Sequence, residues 1–445
     1  ELSRLRKIAF TQEAIASISP EGEHRRAAAF LAATAHYVTL QANLLANHES
    51  KRLPTVLSVG GVAPEVSATL LFLAAGASPD AAEMSRQIET SNEVPDIARG
   101  LLKAIKQLAT GELAELLEDA SAAEETLLDA QLTLAELGAK ALYLMLHRCV
   151  KAIAAEVLGV VGYPASLTEL DRIEALCSEP AVEFVGAVGY SAFPGPRHMA
   201  SLLKSVGREL PADSLARLKA PPGVGELNWV QGLIPIAKAR PYLWTNHRDA
   251  VGQGYLAPGV SAAISFPTGA GKSTLSELKI LSNLCRAKDT LFLAPTLALV
   301  DQTARALNKT FPNAVLDRER ANDNPFEFDV EDRLAPMSVM TPERCLALIG
   351  HQPELFANVG LLVFDECHLL HAGVNDRSRR AVDAMLCILN LSVQAPTADY
   401  LLLSAMMSNT EEVASWLTEL TGRPCLPLNM AWKPTRQVRG SVVFS

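Results

Sequence analysis

Apolar residues follow two different rhythms along the chain. From Glu1 to about Lys219 they recur at helical spacing in stretches rich in Ala, Leu and Glu, broken only by short Pro/Gly punctuation. This predicts an all-helical domain over 1–220. One helix is expected at Ser78-Pro79-Asp80, with Ser78 as N-cap and Pro79 in the first turn. Another is expected through Glu112–Glu118, apolar on one face and acidic on the other, a solvated face or a partner surface. Gly186 to Pro196 reads as a loop, and no fixed repeat period is present.

The rhythm changes at Pro221-Pro222-Gly223-Val224-Gly225, which places a linker over 221–240. Beyond it, short apolar runs alternate with helical segments: Val260–Phe266, Thr290–Ala294, Ser338–Met340, Gly360–Phe364 and Tyr400–Leu403. Strands spaced by helices predict βαβ units and a parallel sheet covered on both faces. In such sheets ligands bind beyond the carboxyl ends of the strands. Polar motifs follow several of these runs.

The first is Phe266-Pro267-Thr268-Gly269-Ala270-Gly271-Lys272-Ser273-Thr274, between a strand and a helical pattern from Ser273 to Ala287. Glycines followed by Lys-Ser in a strand–loop–helix context predict a phosphate cradle for ATP. Backbone N–H groups and the positive helix end would hold phosphate, Lys272 would reach the β/γ oxygens and Ser273 would ligate Mg²⁺. Phe266 stands where the general pattern has glycine, which narrows the loop to the P-T-G-x-G-K-[ST] form. The second motif is Leu361-Leu362-Val363-Phe364-Asp365-Glu366-Cys367-His368, a buried strand ending in two acids. Beside a phosphate loop, Asp365 can hold Mg²⁺ through water while Glu366 orients and deprotonates the attacking water.

With these residues the chain resembles the superfamily 2 DExH-box helicases. Asp365–His368 is similar to motif II, Pro295–Gln302 to motif Ia, Thr341-Pro342-Glu343 to motif Ic, and Ser404-Ala405-Met406 to motif III, with Met for the family's Thr. Asn409–Leu417 matches the N-x-E-E-x-A-x-W-L helix of the Ski2-like group. His368-Leu369-Leu370 with Asp376-Arg377 resembles its H-x-L…R-G extension, Ser378 replacing Gly. Leu243–Val251 resembles the adenine-reading Q motif, with His247 for Gln.

The resemblance implies an α/β fold: a RecA-like P-loop lobe over 241–436 preceded by the all-α domain, with 437–445 starting the link to a second lobe. Thr268, Gly269, Ala270, Gly271, Lys272, Ser273, Thr274 and His247 would bind ATP, and Ser273 and Asp365 the Mg²⁺. Glu366, Asp365 and Lys272 would carry catalysis. Pro295, Thr296, Thr341, Pro342 and Glu343 would grip a nucleic-acid backbone with little base specificity, and His368, Ser404 and Ala405 would couple the two events. Thr341-Pro342-Glu343 and Ser408-x-x-Glu411 also satisfy helix-capping rules.

The implied activity is that of an ATP-dependent helicase or translocase on single-stranded or partly duplex DNA or RNA. A long helical domain ahead of such a core is similar to bacterial phage-defence helicases such as the Hachiman helicase subunit. The competing reading is an ATP-gated scaffold whose helical domain restrains a protein partner. No Q-x-x-G-R-x-x-R stretch occurs, so the lobe alone is expected to be a weak ATPase.

Composition changes little. At 445 residues, 49% hydrophobic and 20% charged, the chain reads as globular and multidomain. A net charge of −9 does not advertise a nucleic-acid binder, although a basic groove can sit on an acidic protein. The seven cysteines are scattered and lack C-x-x-C spacing, so neither a zinc site nor a disulfide framework is indicated, which fits a reducing cytoplasm. His24, His36, His48, His147, His198 and His351 have no metal-ligand spacing and are read as structural. The most apolar stretch, Val66–Ala77, is too short to span a bilayer, so no membrane association is expected.

Overall fold

The computed structural model describes residues 2–46, 55, 57, 60–89, 96–119, 134–178, 193–320, 333–370, 379–405 and 407–430. Met406, His48, His371, Asp376–Ser378, the first part of the expected 186–196 loop and the expected link after 430 lie outside these residues. The chain divides into two units, Glu1–Leu218 with Ala237–Trp244, and Lys219–Ile236 with Thr245–Ser445.

The first unit is helical: α1 (Leu2–Ile18), α2 (Gly22–Ala46), α3 (Pro64–Ala74), α4 (Ser78–Ser85), α5 (Asp96–Thr110), α6 (Leu113–Glu118), α7 (Leu134–Leu158), α8 (Ser166–Ser178) and α9 (Pro194–Glu209). The apolar stretch from Val66 is its central helix, with every residue of Val66–Ala74 buried. Alanines at 28, 29, 32 and 33 are buried along α2, small enough to let neighbouring helices approach closely. Arg26 donates to both Glu209 (2.9 Å) and Asp213 (2.9 Å), joining α2 to the end of α9. Glu13 accepts from His198 and lies 3.4 Å from His36. Burial raises its pKa, but the hydrogen bonds and charge of these two imidazoles outweigh that and hold it down at about 2.

Two helix starts differ from the expected ones. Ser78 is the first residue of α4 and Ala77 occupies the cap position without a side-chain bond; Pro79 still sets the start of the helix. Pro194-Gly195-Pro196 do not form a loop but open α9, where proline's missing N–H costs nothing in the first turn.

The expected linker contains α10 (Glu226–Ala239), because Trp229, Leu233 and Ile236 at spacings of four and three give it a buried face. After α11 (Thr245–Gly252) come β1 (Ser261–Ser265), α12 (Lys272–Leu284), β2 (Asp289–Leu293), α13 (Leu297–Thr310), β3 (Leu316–Arg318), β4 (Met337–Met340), α14 (Pro342–His351), β5 (Val359–Phe364), α15 (Arg379–Gln394), β6 (Asp399–Ser404), α16 (Thr410–Thr421) and β7 (Cys425–Asn429). The seven strands are parallel in the order β3-β4-β2-β5-β6-β1-β7. The five strands β4, β2, β5, β6 and β1 are buried at every position, as a sheet covered on both faces requires. One core cluster joins the sheet to α14, α15 and α16 through Leu348, Ile388 and Leu417.

A buried ionic knot fixes the approach to β1. Lys279 of α12, 3% exposed, donates to the carbonyls of Tyr255, Ala257 and Val260 at 2.8–2.9 Å and pairs with Asp399 at 3.1 Å. Arg423 closes on the other Asp399 oxygen at 3.0 Å. The loop leading into the phosphate-loop strand is thereby tied to α12 and to the start of β6. The expected Ser408–Glu411 capping box is not formed: Asn409 is the N-cap of α16, without a side-chain cap, and its amide instead lies 3.4 Å from Glu412.

Candidate functional site

Five of the motifs identified from the sequence lie at the carboxyl edge of this sheet. β1 runs into Phe266–Gly271, β2 into Pro295-Thr296, β4 into Thr341, β5 into Asp365-Glu366 and β6 into Ser404-Ala405. Three hydrogen bonds draw these ends together. The Phe266 N–H donates to Ser404 O (3.2 Å), the Ser265 hydroxyl to Met407 O (2.7 Å), and the Asp365 N–H to Leu293 O (3.1 Å).

The phosphate loop has the shape its composition requires. Gly269 and Gly271 hold φ of +79° and +84°, left-handed values that favour glycine, and a Cβ at Gly269 would meet open space. Gly271 caps α12, so Lys272 and Ser273 form the first helical turn. Among the described residues, the N–H groups of Gly269, Gly271, Lys272 and Ser273 have no acceptor within the protein. Four unspent donors at a helix N-terminus suit a polyphosphate. Lys272 donates to Phe266 O (3.1 Å), folded back across the loop. Thr268 and Ser273 are exposed at the loop, whereas Ala270 and Thr274 are buried behind it.

The loop is braced from below by a residue that sequence reading passed over. Asn246, fully buried in α11, donates its amide to Ala270 O and accepts the His247 N–H at 3.0 Å. His247, 2% exposed, lies 3.1 Å from Gly271 O through Nε2; a carbonyl only accepts, so Nε2 carries the proton. The imidazole expected to meet an adenine edge thus gives this hydrogen to the loop itself. The pattern over 243–251 marks His247, while the buried amide of Asn246 beside it carries no spacing signal.

Asp365 and Glu366 stand at the tip of β5. Burial raises the Asp365 carboxyl above its ordinary range and the Glu366 charge adds to this, while the Glu366 N–H bond, Lys272 and His368 oppose it. The Glu366 N–H donates to Asp365 Oδ1 at 2.9 Å. Glu366 itself adopts φ +54°, a left-handed conformation that costs a non-glycine residue about 1 kcal/mol or more. Its carboxylate lies 3.2 Å from His368 Nδ1, which is also 3.4 Å from the hydroxyl of the fully buried Ser404. Since a carboxylate only accepts, Nδ1 carries the proton. Glu366, His368 and Ser404 therefore form a connected polar chain from β5 to β6.

The candidate nucleic-acid residues are set by capping. Thr296 and Thr341 are the N-caps of α13 and α14, their hydroxyls accepting from Leu299 (3.3 Å) and Arg344 (3.4 Å). Thr296 is exposed with Pro295 half-buried beside it; Thr341 and Pro342 are buried and Glu343 is half-buried. The Thr341 N–H is held at 2.7 Å by Glu319, a buried acid after edge strand β3 that no sequence motif marked.

All seven cysteines are free. Burial pushes the Cys367 thiol up to about 12, unsuited to thiolate chemistry. Among the described residues no group of three His, Cys, Asp or Glu is arranged to hold a metal ion, and no helix is long and apolar enough to cross a membrane.

Residues 245–413 match the model of the DEAD/DEAH box helicase family. It is similar to the ATP-dependent DNA helicase MER3 homolog of Oryza sativa subsp. japonica, at 30% identity over 36% of this chain and 15% of that protein. It is also similar to the ATP-dependent DNA helicase Hel308 of Thermoplasma acidophilum, at 26% over 44% of this chain and 28% of that protein. The ATP-dependent RNA helicase mtr4 of Schizosaccharomyces pombe matches at 26%, over 45% of this chain and 17% of that protein. The matched region thus spans less than a third of each relative. Among solved structures, the DUF1998 helicase MrfA bound to DNA aligns with a TM-score of 0.37 and 19% identity, over 48% of this chain and 30% of that chain.

Proposed function

We propose that the second unit is the first motor lobe of an ATP-driven helicase or translocase acting on single-stranded or partly duplex DNA or RNA. One observation carries this reading: four unspent loop N–H groups and Lys272 after β1, and the Asp365–Glu366 pair after β5, lie at the same edge of one sheet with only β6 between the two strands. A polyphosphate would lie on the loop, with Ser273 and Asp365 as the oxygen donors suited to Mg²⁺. Bound there, Mg²⁺ would neutralise phosphate charge. Glu366 is the general base for the attacking water, and the hydrogen bond it accepts from His368 Nδ1 connects that carboxylate to Ser404 on β6. Thr296 and Thr341, at helix N-termini on the same edge, are suited to phosphate oxygens of a strand rather than to bases. The relatives include both DNA and RNA helicases, so the reading names no sugar.

The test is steady-state ATP hydrolysis by the protein that carries this lobe, with and without single-stranded DNA or RNA. Glu366→Gln should retain nucleotide binding while turnover falls roughly 100-fold or more, the usual scale for a lost general base. Unchanged turnover in that variant would remove Glu366 from the chemistry. The defence role rests only on the long helical unit ahead of the lobe; phage challenge of cells carrying the intact gene, compared with its Lys272→Ala form, tests it separately.

A further inference from the structure

Helix α15 is apolar on two opposite faces. Its inner face buries Ala384, Cys387, Ile388 and Leu391 in the core shared with the sheet. Its outer face exposes Val382 (51%), Leu386 (40%), Leu389 (37%) and Val393 (72%). These four lie at spacings of four, three and four, the interval that keeps side chains on one line along a helix and that helix–helix seams use. Nothing in the nucleotide site or the candidate nucleic-acid edge uses them.

The order of the outer residues is Val-Leu-Leu-Val, which reads the same in both directions. Placed antiparallel against a second α15, Val382 faces Val393 and Leu386 faces Leu389, so large residues meet large ones at the centre and small ones at the ends. A two-fold axis demands this self-complementarity, because one patch must serve both copies. A single charged residue, Asp383, occurs between Ala381 and Gln394, and the same pairing sets it opposite Ser392. No like charges are opposed along this seam.

We propose that α15 is a homotypic docking surface on which a second copy of this chain packs antiparallel through its own Val382, Leu386, Leu389 and Val393. With 16 residues the helix is about 24 Å long, and one such seam buries less than the roughly 1,200 Å² of a standard stable interface. The association is therefore weak and depends on concentration.

Sedimentation velocity of the full 445-residue chain between about 1 and 300 µM tests this, a range that brackets micromolar affinities. The weight-average sedimentation coefficient should rise with concentration, and Leu386→Glu/Leu389→Glu should abolish the rise with an unchanged circular dichroism spectrum, since both side chains are exposed. Orientation is read by oxidising a mixture of Val382→Cys chains and Val393→Cys chains. A disulfide joining 382 to 393 between chains should dominate over either homodisulfide. A monomer at every concentration leaves the face to another polypeptide and overturns the proposal, as does a dimer that survives the double glutamate change. Preferential 382–382 linkage would refute the antiparallel arrangement.

Discussion

Replacing Asn246 with alanine should weaken nucleotide binding without unfolding the lobe. The side chain is fully buried and makes two bonds, donating to Ala270 O and accepting from His247 N at 3.0 Å. Its loss leaves a buried carbonyl and a buried N–H, each costing about 1–3 kcal/mol when unpaired. Neighbouring Thr268 and Gly269 are exposed, so water can reach the loop and the lower end applies, about 2–3 kcal/mol in all. If the loop recovers its shape only when nucleotide binds, most of that cost is taken from binding. A loss of about 1.4–2 kcal/mol is a roughly 10- to 30-fold weaker Kd. Asn246→Asp separates the two bonds: it keeps an acceptor for His247 N but sets a carboxylate oxygen against the Ala270 carbonyl, so its loss should equal or exceed that of alanine. Titration with a fluorescent ATP analogue in Mg²⁺, beside thermal melts, measures both terms. Affinity within twofold of wild type in folded Asn246→Ala would refute the idea that this amide shapes the loop.

Two further outcomes concern stability. Lys279→Met removes the donor shared by three carbonyls and Asp399, and breaking a buried ion pair on one side costs about 3–5 kcal/mol; a urea midpoint equal to wild type would show that the knot carries no such energy. Burial, with nearby Lys151, lowers the His147 pKa to about 4, so on acidification the unfolded chain takes up the proton first. His147 should take on the order of 2–3 kcal/mol from the stability of the first unit between about pH 6.5 and 4; its own share levels off below that, where the loss from protonating Glu13, held down at about 2, sets in. His147→Gln should flatten that part of the urea-midpoint profile, and an unchanged profile would assign the decline to other groups.

The five strands read from apolar runs are all present, because burial on both faces leaves an uninterrupted apolar signature. The two strands without such a signature are the sheet's edges. β3 is three residues long with half-exposed ends, and β7 carries Pro427, which an edge tolerates. Motif residues other than His247 were legible because they sit at or just past strand ends, as Asp365 follows Phe364. Their supports were not, since Asn246 meets Ala270 across 24 positions and Lys279 meets Asp399 across 120. Such pairings leave no local pattern. Capping from composition succeeded at Thr341, where a strand fixes the entry, and failed at Ser78 and Ser408, where the chain enters the helix one residue out of step.

The central claim is that Phe266–Thr274 holds the phosphates of ATP. Equilibrium titration of the chain and its Lys272→Ala form with a fluorescent ATP analogue and Mg²⁺ addresses it directly. Lys272 contributes the loop's one full positive charge, and loss of a charge-assisted contact worth about 2–3 kcal/mol should weaken binding roughly 30- to 150-fold. Equal affinity in the two folded proteins would contradict the assignment.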